Sequence, residues 1–132
     1  MIYRVVRTVL KQKKDPGLYE YLDHHMHLSN NLYNATLFRI RQNFTSRKKE
    51  HLTENELEVQ REIEETLELC PHLKRPKSVL SYKFLERMMR VMDNPDFFAG
   101  LPSQTAEECQ KAAVHDFRSW LASLREYKKH PE

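Results

Sequence analysis

Three histidines within four positions, His24, His25 and His27, form the densest cluster of reactive side chains in the chain, and imidazole is the commonest metal-binding material. Glu20 with His24, and Asp23 with His27, stand one helical turn apart, so a helix would aim each pair at a common point. Only two ligands of any such set share a face, and no other His or Cys pair completes a shell. The expectation is an exposed polar helix face, with no metal and no other cofactor. Glutamates crowd the stretch from Glu54 to Glu68, but in a surface-type pattern without the apolar neighbours that raise a carboxyl into general-acid range. The chain has no glycine-rich phosphate loop and no Ser-His-Asp or Cys-His set. Cys70 and Cys109 stand far apart and outside any C-x-x-C pair, so they read as reduced thiols rather than a zinc ribbon or disulfide framework. Nothing in these residues specifies catalysis, and the chain is expected not to be an enzyme.

Charge is the stronger signal. The formal +3 conceals a −6 segment, because seven glutamates between Glu54 and Glu68 face Arg61 alone; the rest of the chain therefore carries +9. Arg4, Arg7, Lys11, Lys13 and Lys14 open the chain without an acid among them. Lys74, Arg75, Lys77, Lys83, Arg87 and Arg90 follow later against Glu86. A segregated basic surface is what a phosphate backbone requires, since neutralising it releases counterions.

The elements that would carry these side chains are mainly helical. Only 2 glycines in 132 residues, with 31% charged residues, favour helices over a turn-rich β-fold. Ile2 to Leu10 is β-branched and apolar and reads as a strand, yet no second strand follows to pair with it. After the turn signal Asp15-Pro16-Gly17, a stripe of Leu22, Met26, Ser29, Tyr33, Leu37, Ile40 and Phe44 predicts a long helix, ended by the basic tail after Arg47. Thr53 with Glu56 forms a capping box, with Leu52 and Leu57 as a hydrophobic staple, for a second helix; its few apolar positions place it on the outside. Ser78 is expected to cap a third helix with Tyr82, Leu85, Met89 and Met92 on one face. Ser103 is expected to cap a fourth whose core stripe is Ala106, Cys109, Ala113, Phe117, Trp120, Leu124 and Tyr127. Phe117 and Trp120 are read as core rather than base-stacking platforms. No apolar run approaches a membrane span and the opening MIYRVVRTVLK is unlike a signal peptide, so a cytoplasmic protein with no membrane association is expected.

Four stretches in this order, the N-terminal strand and turn, HLSNNLYNATLFRIRQ, LSYKFLERMM and LPSQTAEECQKAAVHDFRSWLASL, resemble the N-terminal region of TnpB (OrfB) transposon proteins, relatives of the type V CRISPR effectors. Tyr33-Asn34 and the helix from Leu101 to Leu124 carry most of the likeness, which covers almost the whole chain. The resemblance implies a mainly α fold: a four-helix recognition-lobe-like bundle over 15–132, preceded at 1–14 by a basic strand belonging to an incomplete wedge barrel. It implies guide-type structured RNA and target DNA as partners, held through backbone and shape. The nucleic-acid contacts expected on this basis are Arg4, Arg7, Lys11, Lys13, Lys14, Asn34, Arg39, Arg41, Lys77 and Lys111. Tyr82, Ser103, Gln104 and Glu107 take the positions that approach a short DNA motif beside the target, where Gln104 suits adenine edges and Glu107 rejects phosphate. The family's metal-binding carboxylates and four-cysteine zinc ribbon would lie beyond Glu132, so a truncated module lacking its nuclease portion is expected. The rival expectation is a helical protein-protein interaction module without a nucleic-acid role, docking through the stripe of the fourth helix.

Overall fold

The computed structural model describes residues 14–130, so the expected strand at 2–10 and the basic residues Arg4, Arg7, Lys11 and Lys13 lie outside the described residues. Four helices follow: α1 (Pro16–Ser46), α2 (Glu54–Leu69), α3 (Tyr82–Val91) and α4 (Ser103–Lys129). The described residues form a helical bundle, as expected, with no strand among them.

α1 begins at Pro16, where a missing N–H costs nothing because no intrahelical acceptor exists for it. Its C-terminal half is packed: Leu32, Thr36, Ile40 and Asn43 are buried. The N-terminal turns are not, since Leu22 is 42% and Met26 60% exposed. The expected apolar stripe is therefore half core and half surface.

α2 starts on the expected capping box. The Thr53 hydroxyl accepts from the Glu56 N–H at 3.2 Å, and the Glu56 carboxylate accepts from the Thr53 N–H at 3.1 Å. The expectation of a wholly solvated acidic helix fails at Glu56, which is buried and also takes Lys49 Nζ at 3.0 Å and the Thr45 hydroxyl at 2.9 Å. These donors, led by the Thr53 backbone N–H, outweigh burial and hold its carboxyl down at about 2. Nor is α2 merely peripheral, because Val59 and Ile63 are core. Leu57, the expected staple partner, is half exposed.

Two other caps differ from expectation. α3 is capped by Ser81, whose hydroxyl accepts from the Phe84 N–H at 3.3 Å, while Ser78 lies outside the helix. Ser103 is the first residue of α4 rather than its cap; Pro102 occupies that position without a side-chain bond. Asn94 makes the α3/α4 turn, its side-chain oxygen accepting from the N–H groups of Asp96 and Phe97 at 2.9 and 3.2 Å.

Side-chain pairs give the directions. Thr45 meets Glu56 and Arg39 meets Glu62, so α1 and α2 are antiparallel. Asn43 donates to the carbonyls of Lys77 and Ser78, and Thr36 reaches Met89, so α3 also runs against α1. The segment 70–81 must therefore return alongside α2, where Arg75 pairs with Glu64. Leu32 clusters with Ala106 and Phe44 packs on Phe117, so α4 runs in the same direction as α1. α2 and α4 each pack on both α1 and α3, which sets the acidic helix on the opposite side of the bundle from α4. Among the described residues no helix is long and apolar enough to cross a membrane.

Candidate nucleic-acid interface

The fold gathers most of the expected motif-reading cluster. Tyr82, Ser103 and Glu107 line a cavity of about 490 Å³ between α3 and the first turns of α4, together with Glu86, Arg90, Phe97 and Gln110. Gln104 is exposed beside it and does not form its wall. Lys111 joins from one turn on: its ammonium sits 2.7 Å from the Glu107 carboxylate and 5.2 Å from the centre of the Tyr82 ring. Burial, then the Glu107 and Glu86 charges, push the Tyr82 phenol up, so it is a neutral hydrogen-bonding group at any physiological pH. Arg90 is likewise matched, to Glu86 at 2.6 Å, and lies over the Phe97 ring. Both cations of this cavity are balanced internally, which leaves little net attraction for phosphate.

Gln110 was missed by sequence reasoning. It is fully buried, its amide nitrogen 3.1 Å from the Met89 sulfur, and its side-chain oxygen has no partner among the described residues. Its spacing from Ala106 and Ala113 put it on the core stripe and was the available signal.

Of the other expected contacts, Arg39 is committed elsewhere. Its guanidinium is largely buried, donates to the Ala35 carbonyl at 2.9 Å and to Glu62 at 3.2 Å, and so ties α1 to α2. Arg39 Nε stands at the same distance from the second Glu62 oxygen but out of hydrogen-bonding alignment. An arginine this engaged does not reach out to a ligand. Lys14, Asn34, Arg41 and Lys77 are all exposed. Asn34 and Arg41, seven residues apart on α1, share a face. The expected histidine face is exposed at His24 and His27, with Asp23 3.5 Å from His27, and His25 stacks on Tyr21. Among the described residues no group of three or more His, Cys, Asp or Glu side chains is placed to hold a metal ion.

A second concavity runs between the parallel helices α1 and α4. One cavity, of about 600 Å³, is walled by Tyr33, Arg41, Gln42, Phe44, Asp116 and Trp120. Another, of about 430 Å³, adjoins it across Phe44 and Thr45 and is walled by Arg47, Lys48, Ser78, Leu124, Arg125 and Lys128. The expectation of Trp120 as core is corrected here: Phe117 is buried, but Trp120 is 52% exposed, its ring held edge-on by Phe44. The Tyr33 hydroxyl donates to Asp116 at 2.6 Å, which lowers that carboxyl and raises the phenol. None of Arg41, Arg47, Lys48, Arg125 and Lys128 is in an ion pair with another described residue. Five cations therefore border one aromatic groove whose single carboxylate is already engaged.

Compared with protein-family models, with curated proteins and with solved structures, the chain finds no match.

Proposed function

We propose that this chain is a nucleic-acid-binding helical module of the recognition-lobe kind implied by its resemblance to the N-terminal region of TnpB proteins. It holds structured guide-type RNA and its DNA target through their phosphates and cleaves neither. The observation that carries this reading is the segregation of charge across the bundle. Glu54, Glu58, Glu65 and Glu68 are exposed on α2, while the groove on the far side is bordered by five cations without intramolecular partners among the described residues. Contact with phosphate from the α1/α4 side is attractive and from the α2 side repulsive, which orients the module on its nucleic acid. In the same reading the cavity with Tyr82, Ser103 and Glu107 meets a short DNA motif. Its matched charges and neutral phenol suit base edges better than backbone.

A gel-shift titration of the full chain with a hairpin RNA tests this. Binding at low salt that weakens steeply as salt rises is expected; absence of binding at low salt, or indifference to salt, removes the proposal.

A second reading, a docking module for another protein, has one observation in its favour. Leu18, Tyr21, Leu22 and Met26 are all exposed at the start of α1, a larger run of apolar surface than scattered single residues produce. A stable homo- or hetero-complex in high salt by light scattering, with no RNA affinity, would decide for it.

A further inference from the structure

The groove between α1 and α4 is built for more than phosphate. Trp120 is the only tryptophan of the chain and leaves half its surface to solvent. Phe44 and Phe117 pack edge-on and tilted against it, with ring centres at 6.5 and 5.4 Å, so the indole is fixed in orientation without its outer surface being covered. Along α4, Trp120 and Lys128 are about 12 Å apart at helical rise. Arg125 and Lys128 face Arg47 and Lys48 across the cleft, and Arg41 stands on the α1 wall beside the indole. A rigid, half-exposed aromatic ring bordered by cations is the arrangement that binds an unpaired strand: the base stacks on the ring while the backbone tracks the charges. A duplex cannot use the ring, because its bases are already stacked on one another. Gln42 and Ser78, one in each cavity, make no side-chain hydrogen bond among the described residues, and either can meet a ribose 2′-hydroxyl of a strand lying in its own cavity.

We propose that the α1/α4 groove is a binding site for an unpaired segment of RNA, with Trp120 as the stacking platform for one base and Arg41, Arg47, Lys48, Arg125 and Lys128 as its phosphate contacts. The assignment rests on the nucleic-acid reading above and names the ligand class of that face.

The lone tryptophan makes the site its own reporter. The full-length chain is titrated at low salt with a 12-nucleotide oligoadenylate RNA, the same DNA oligomer, and an RNA duplex of equal length, following indole fluorescence and, for labelled oligomers, anisotropy. The single-stranded RNA is expected to quench the fluorescence and to bind more tightly than either competitor. Trp120→Leu is expected to weaken RNA binding about 5- to 150-fold, the range that loss of one stacked base produces, while Trp120→Phe retains most of the affinity. Circular dichroism establishes that each variant is folded; should Trp120→Leu not fold, the quench and the Trp120→Phe comparison still decide. Unquenched fluorescence, equal affinity for the duplex or the DNA, or full affinity in folded Trp120→Leu overturns the stacking site and leaves general nucleic-acid binding standing. No binding to any of the three oligomers overturns both.

Discussion

A carboxylate buried beneath a helix start behaves unlike one in water, and Glu56 is the residue where this matters most. Its pKa, about 2, lies well below the ordinary carboxylate value of 4.5, so the proton binds less tightly to the folded chain than to the unfolded one. The stability that follows is complete above the unfolded value and is lost as pH falls from about 4.5 through about 2. Glu56→Gln is therefore expected to lower the melting midpoint at pH 7, and the gap from the parent should narrow as pH is taken below 4; a gap independent of pH would show that the charge contributes nothing. Asn43 is the other residue with a large structural duty. It is buried, donates to the carbonyls of Lys77 and Ser78, and accepts from Gln60. Asn43→Ala strips two carbonyls of their side-chain partner, leaves the Gln60 amide with Ser46 alone, and should cost about 1–3 kcal/mol in urea unfolding.

At the scale of elements, the serines separate local signal from tertiary fact. Ser81 caps α3, so Ser81→Ala should cost about 1 kcal/mol, whereas Ser103→Ala, at a helix start with no capping bond, should be close to neutral by the same thermal denaturation. The capping box of α2 was legible because Thr53 and Glu56 are three residues apart and complete each other. The choice between Ser78 and Ser81 was not, since both precede the same apolar face and only the path of the strap decides. Periodicity found the apolar face of α1 correctly but could not tell that its first turns have no packing partner among the described residues. A helix of 31 residues simply outruns α2, its antiparallel neighbour, which has 16. Likewise, the partner that occupies Arg39 is 23 residues away, and the groove needs two helices that sequence reasoning had no means to set side by side.

At the scale of the whole molecule, the proposed electrostatics has a countable signature. If single-stranded RNA lies in the groove, Arg125→Ala with Lys128→Ala should reduce the slope of log affinity against log salt by about 1.4, two phosphate contacts at about 0.7 each. The same pair of substitutions on a chain that binds elsewhere would leave that slope untouched. The mainly helical class and the four helices were readable from composition and stripes, because each helix advertises its own apolar face. The polarity of the bundle was not. It follows from a strap that brings the chain back beside α2, and the only sequence trace of that return is the ten or so residues between Cys70 and Leu80, with prolines at 71 and 76 that forbid a helix there.

That returning strap also dictates an order of events. α1 leans mainly on α4, whose first residue comes 57 positions after Ser46, so the longest helix of the bundle cannot be sealed until the last one exists. On a ribosome, α1, α2 and α3 would emerge as an open tray with Ile40, Phe84 and Met88 facing water, and closure would wait for Phe117 and its neighbours. The groove proposed to take RNA is the seam of that final closure, and it comes into being only when synthesis of α4 is complete.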